Sequence, residues 1–133
     1  MKLIPEAYRD LVSDEVRAYA FLATIMEDGT PQVTPVWFNT DGEYILINSA
    51  KGRVKDRNMR ARPQVALAIM DLADPYRYLQ LRGHVIEITE DGAREHIDAL
   101  SKKYTGREKF VPRNRSQDEV RVIYKIYPDR IAV

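Results

Sequence analysis

A chain of 133 residues carrying 21 Lys and Arg against 20 Asp and Glu has a formal charge of only +1. That argues against a general nucleic-acid binder, and the length suits one domain over residues 1–133. The absence of cysteine excludes disulfides, thiolate metal sites and thiol nucleophiles. No apolar run approaches the ~20 residues of a membrane span, and the N-terminal MKLIPEAYRDLV lacks the apolar core of a secretion signal. A cytoplasmic protein with no membrane or nucleic-acid partner is expected.

Residues 4–12 read as a short helix, with Pro5 in its first turn and Ile4, Tyr8, Leu11 and Val12 on one face. Residues 19–26 read as a strand. Glu27-Asp28-Gly29-Thr30 follows, and Asp-Gly between apolar runs signals a hairpin. The return strand, 32–39, holds Pro35, which cannot donate to a ladder, so that strand is an edge or is bulged. Asp41-Gly42 repeats the turn before a third strand at 44–49. Together these predict an antiparallel meander.

A helix over 53–61 interrupts the strands, and Pro63 ends it. Residues 65–70 form a strand, 71–75 a loop, and 76–88 a long strand in which Gly83 marks a bend or a close approach. Thr89 is expected to cap the next helix, with Glu90 and Asp91 in its first turn. Ala93, His96, Ile97, Leu100 and Tyr104 then recur at helical spacing, and Gly106 stops the helix. Residues 107–119 read as a polar loop and 120–127 as a strand. A turn at Pro128-Asp129 leads to a last short strand at 130–133. Several strands, such as Val65-Ala66-Leu67-Ala68-Ile69, are apolar on both faces. The expected fold is mainly β: a six- to seven-stranded, largely antiparallel barrel with a few short helices. So few helices cannot cover a barrel, and a homodimer is expected to bury the exposed face.

Catalytic signatures are absent: there is no G-x-S-x-G, H-E-x-x-H, Walker A or G-x-G-x-x-G. His84 and His96 lack metal-ligand spacing, so no metal site and no catalytic side chain are assigned. Glu87, Glu90 and Asp91 read as surface and capping groups. An enzyme built from this chain would depend on a bound cofactor for its chemistry.

One stretch stands out. Residues 51–62 hold Lys51, Arg53, Lys55, Arg57, Arg60 and Arg62 against Asp56, a local charge of +5 in twelve residues. An apolar strand feeds it, and backbone N–H groups at a strand–helix junction stabilise an anion. Gly52 would let the backbone approach such a ligand. By itself the stretch reads at least as well as a solvated helix face with an Asp56–Arg60 pair.

Thr34-Pro35-Val36-Trp37-Phe38, then Gly52-Arg53-Val54-Lys55-Asp56-Arg57-Asn58, then Arg62-Pro63-Gln64-Val65-Ala66, then Pro75-Tyr76-Arg77-Tyr78 with Gly83 beyond, occur in an order that resembles a known family. It is the pyridoxamine 5′-phosphate oxidase-like, FMN-binding split-barrel family, and within it the small deazaflavin (F420)-dependent reductases. The resemblance covers residues 5–133. It implies a split barrel, a homodimer with two cofactors at the subunit interface, and a cofactor ring along Pro35, Val36 and Trp37. It places the cofactor phosphate at Ser49, Lys51, Arg53, Lys55, Arg57 and Asn58, and draws Tyr76 and Tyr78 from the second chain. Trp37 reads equally as a core aromatic, and the two tyrosines equally as barrel packing. Arg60 and Arg62 are expected to face solvent. Six basic residues favour F420, whose polycarboxylate tail wants a long cationic groove that Arg113 and Arg115 could extend; FMN is the alternative. The implied activity is hydride transfer between reduced F420 and a small electron-poor acceptor. The rivals are an FMN-dependent oxidoreductase or oxidase and a non-catalytic cofactor-binding protein.

Overall fold

The computed structural model describes residues 3–112 and 119–133. Seven antiparallel strands form one curled sheet in the order β2-β1-β5-β6-β7-β4-β3. The strands are β1 Tyr19–Ile25, β2 Pro31–Val36, β3 Phe38–Asp41, β4 Tyr44–Ala50, β5 Gln64–Met70, β6 Tyr78–Thr89 and β7 Arg121–Ala132. A 3₁₀ helix, Glu6–Val12, precedes them, and two α-helices, α1 Val54–Ala61 and α2 Ala93–Thr105, follow β4 and β6. None of the described helices is long and apolar enough to cross a membrane.

The two edges of this sheet are consecutive in the chain. β2 and β3 lie at opposite ends of the strand order, yet Trp37 alone separates them. The sheet must therefore curl until its edges meet at that residue. Beyond it they diverge, because β2 pairs with β1 and β3 with β4. That arrangement is a split barrel. It also corrects the expected meander: residues 32–39 are two strands with different partners. An extended backbone can exchange one neighbour for another without a turn residue, so nothing local marks the switch. Pro35 lies in β2, an edge strand with one unladdered side, as its missing N–H requires.

Alternation along the strands fills the barrel. Ala20, Leu22, Val65, Leu67 and Ile69 point inward and join Phe38, Ile45, Ile47, Leu79, Leu81, Tyr124 and Ile126 in one buried cluster. Each Leu or Ile so buried contributes about 1.5–3 kcal/mol. Leu11 and Val12 of the 3₁₀ helix reach the same cluster. The opposite faces of β1 and β5 carry Phe21, Ala23, Ile25, Ala66, Ala68 and Met70, all half-buried, so these strands are apolar on both sides.

Two boundaries differ from expectation. β7 does not turn at Pro128-Asp129 but pairs with β6 as far as Ala132. Arg82 faces Arg130 and Gly83 faces Pro128, so Asp129 is a bulge residue. Proline, lacking a donor, suits that break in the ladder, and Gly83 permits it: a Cβ there would stand 2.2 Å from the Tyr127 carbonyl oxygen. At α2 the capping residue is Gly92, in the left-handed region at φ 73°. The Thr89 hydroxyl instead accepts the Asp91 N–H at 3.1 Å. Thr89, Glu90 and Asp91 thus build the turn ahead of α2.

Candidate functional site

A groove of about 850 Å³ opens where β2 and β3 part, between the start of α1 on one side and α2 with its C-terminal tail on the other. Its chemistry is divided. One end is cationic and the other aromatic.

The cationic end is built by the β4–α1 junction. Gly52 makes the turn at φ 91°, and its N–H is given to the Asp56 carboxylate at 2.9 Å. The turn is therefore closed internally, and Gly52 serves its geometry rather than a ligand's approach. Asp56 is 2% exposed and also accepts Tyr124 Oη at 2.5 Å and Arg60 Nε at 2.9 Å. Burial pushes its carboxyl up, but the Gly52, Tyr124 and Arg60 donors outweigh that and hold it below the usual carboxylate value. Burial, then the bond to Asp56, pushes the Tyr124 phenol up.

With α1 fixed this way, Ser49, Arg53 and Lys55 line the groove. The Ser49 hydroxyl is buried and has no hydrogen-bond partner among the described residues. Arg53 has a 3.4 Å contact to Glu119. Lys55 is half-buried. Desolvation lowers its pKa, and the neighbouring Arg53 and Arg121 charges lower it further, with no carboxylate working the other way. A partly desolvated ammonium near two guanidiniums, sharing the groove with a hydroxyl unpaired among the described residues, suits an anion.

The other wall belongs to α2 and β7. Arg121 is 6% exposed. Its Nε donates to Asn48 Oδ1 at 2.8 Å, its Nη1 to Glu119 at 2.8 Å, and its guanidinium lies 5.0 Å from the Phe110 ring centre. Asn48 in turn gives its amide N–H groups to the Ala93 carbonyl at 2.9 Å and to His96 Nδ1 at 3.0 Å. His96 Nε2 meets Asn39 Oδ1 at 2.8 Å. Burial, then the Arg121 charge, lowers the His96 pKa to about 4, so the imidazole is neutral at physiological pH.

The aromatic end carries Trp37, stacked on Tyr104 at 5.5 Å with an interplanar angle of 3°, while Phe110 meets Trp37 edge-on at 6.0 Å. Tyr19 also stacks with Tyr104, at 6.1 Å. The Tyr104 hydroxyl donates to the Ala18 carbonyl at 2.7 Å, and Lys103 Nζ donates to the Phe38 carbonyl at 3.0 Å. The end of α2 thereby ties together the strands on either side of the split. Trp37 is both packed and groove-lining.

Of the residues singled out from the sequence, Pro35, Val36, Trp37, Ser49, Arg53 and Lys55 line this groove. Lys51 sits beside it, exposed, paired with Glu90 at 3.4 Å. Arg57 folds back onto the Gly52 carbonyl. Asn58 is buried, donating to Thr24 at 3.0 Å and accepting from Arg62 at 3.3 Å. Arg62 does not face solvent as expected; its Nε caps the Ile25 carbonyl at 2.8 Å. Arg60 is exposed but paired with Asp56. Tyr76 is 93% exposed and Tyr78 39%, neither lining the groove of its own chain. Arg113 and Arg115 lie outside the described residues. Sequence reasoning missed Asn48, Arg121, the α2 wall of Ile97 and Leu100, and Phe110 in the tail beyond α2. An arginine opening the apolar run Val122-Ile123-Tyr124 was the available signal for Arg121. Among the described residues, no group of three or more His, Asp and Glu side chains is placed to hold a metal ion.

The family model for pyridoxamine 5′-phosphate oxidase matches residues 4–133. The chain belongs to that family. A solved structure of an F420 reductase is similar over the same extent: 36% identity, TM-score 0.83, covering 97% of this chain and 98% of that one. Two further solved structures are more distant in sequence and bear on architecture alone. A conserved hypothetical protein from Mycobacterium tuberculosis has 22% identity and TM-score 0.72, over 96% of this chain and 82% of its own. HupZ of group A Streptococcus has 22% identity and TM-score 0.65, over 96% and 91%. No curated protein matches the sequence significantly.

Proposed function

We propose that the chain is a cytoplasmic, homodimeric F420-dependent oxidoreductase. Ser49, Arg53 and Lys55 hold the cofactor phosphate, and the ring lies along Pro35, Val36 and Trp37. The observation that carries this reading is Lys55: a half-buried cation, its charge disfavoured by two guanidiniums and relieved by no acid, next to an unpaired buried hydroxyl. A phosphate supplies what both groups lack. It neutralises the cations, and it accepts the Ser49 O–H in a charge-assisted bond about twice as strong as a neutral one. The 36% identical F420 reductase favours deazaflavin among phosphorylated rings.

A bound deazaflavin would supply the hydride chemistry. The chain supplies position: the phosphate grip sets the cofactor's depth, and Trp37 with its neighbours offers an apolar wall that keeps water from the ring. Among the described residues, no side chain is placed as an obligatory proton donor. The acceptor is a small, electron-poor organic molecule such as a quinone or an enone.

The outer face of the sheet supports the proposed dimer. Pro35, Phe21 and Ala68 stand opposite one another across β2, β1 and β5, so they share that face. A second copy covering this apolar row would reach the groove at Pro35. The exposed Tyr76 and Tyr78 would then serve the partner's cofactor.

A second reading has an observation of its own. Of the six basic residues in 51–62, only Arg53 and Lys55 line the groove. A helix start that gives the groove only these two cations suits a compact phosphate, and so FMN. Titrating purified protein with F420 and FMN side by side, followed by a quinone-reduction assay with the tighter ligand, separates the readings. Preference for F420 with turnover supports the proposal. Preference for FMN supports the alternative, and tight binding without turnover on any acceptor supports a carrier. Binding of neither overturns all three.

A further inference from the structure

Arginine is rarely buried unless its donors are satisfied. Arg121 is 6% exposed and has only part of its guanidinium engaged. Nε serves Asn48 and Nη1 serves Glu119, while Nη2 has no hydrogen-bond partner among the described residues. The side chain lines the groove. Glu119 does not fully neutralise it, because the same carboxylate also contacts Arg53 at 3.4 Å.

We propose that Arg121 is a further anion-holding side chain of the groove, aimed at its ligand by Asn48 and His96 as positioning residues. The identity of the anion rests on the phosphate reading above; the aiming geometry does not.

The aim is set by groups that can bond in only one sense. The Ala93 carbonyl can only accept, and Arg121 Nε–H can only donate. The Asn48 amide between them is therefore fixed, with Nδ2 toward Ala93 and Oδ1 toward Arg121. The second Nδ2 hydrogen goes to His96 Nδ1, so Nδ1 must carry a lone pair and Nε2 the proton that Asn39 Oδ1 accepts. Burial and the Arg121 charge keep the ring in that neutral form. A charged His96 would turn an N–H against the Asn48 amide and release Asn48, and with it Arg121. A histidine that merely packed would need no fixed tautomer.

The chain has two histidines, so ¹⁵N-edited NMR reads the arrangement directly. In the wild type, His96 is expected as the neutral Nε2–H tautomer at neutral pH, and the Arg121 Nε–H as a slowly exchanging resonance that shifts on adding F420 or inorganic pyrophosphate. In His96→Leu that resonance loses protection. Affinity for F420 then falls roughly tenfold, the loss of one well-aimed charged contact, and affinity for unphosphorylated riboflavin does not change. The isosteric Asn48→Asp keeps the acceptor for Arg121 but removes the donor to Nδ1, so His96 should become imidazolium at neutral pH. An Arg121 resonance unmoved by His96→Leu overturns the inference. So does an equal loss of F420 and riboflavin affinity, or a His96 that stays neutral in Asn48→Asp. If the wild type binds no phosphorylated flavin but Arg121 answers to pyrophosphate, the cofactor reading fails and this one stands. If Arg121 answers to neither anion, this one fails whatever the cofactor.

Discussion

The two faces of α1 carry the same residue types and do opposite work. Away from the groove, Asp56, Arg57, Asn58, Arg60 and Arg62 are each bonded within the fold. On the groove side, Lys55 and the adjoining Ser49 have no partner among the described residues, and Arg53 has one long contact. Composition cannot tell these faces apart; partners can. A basic helix whose charges are all answered is architecture. Charges left half-desolvated and unanswered mark where an anion can be held.

Substitutions on the two faces should separate stability from binding. The largest effect is expected at Asp56. Asp56→Ala leaves the Gly52 N–H and the Tyr124 hydroxyl without an acceptor and should cost about 3–5 kcal/mol in urea denaturation, with affinity in the remaining folded protein little changed.

Lys55→Ala should do the reverse. F420 or FMN affinity is expected to fall about 10–100-fold by fluorescence titration, with no loss of thermal stability. The sign follows from linkage. Folding depresses the Lys55 pKa, so the unfolded chain holds that proton more tightly and the charged group opposes folding at every pH below its unfolded value. Phosphate reverses this by favouring the ammonium. In the wild type, affinity should therefore decline as pH rises through the depressed Lys55 pKa, and Lys55→Ala should flatten that decline.

Ser49→Ala removes a hydroxyl with no partner among the described residues, so stability should hold while affinity drops by roughly 1 kcal/mol, about fivefold. Lys51→Ala is expected to do least. Its pair with Glu90 is exposed on both sides, worth about 0–1 kcal/mol, and cofactor affinity should not change. A Lys51 effect as large as that of Lys55 would erase the distinction between the faces.

How far the sequence carried the fold depended on whether the deciding physics was local. Asp28-Gly29 and Asp41-Gly42 announced their turns because positive φ demands particular residues. Gly83 announced a close approach for a related reason. The exchange of partners at Trp37 left no trace, since neighbouring strands change there while the backbone stays extended. The β7 bulge was read as a turn because a Pro-Asp pair has the same composition in either setting. At the site, Ser49, Arg53 and Lys55 were legible as one cluster because they share one junction. Arg121 was not, because its place beside them depends on β7 pairing with β4, a contact between residues some seventy positions apart.

A structure of the protein with F420 bound tests the seat most directly. It should show the cofactor phosphate within hydrogen-bonding distance of Ser49 Oγ and Lys55 Nζ, with the ring against Pro35, Val36 and Trp37. A phosphate bound elsewhere, with Ser49 still unpaired and Lys55 turned to solvent, would contradict it.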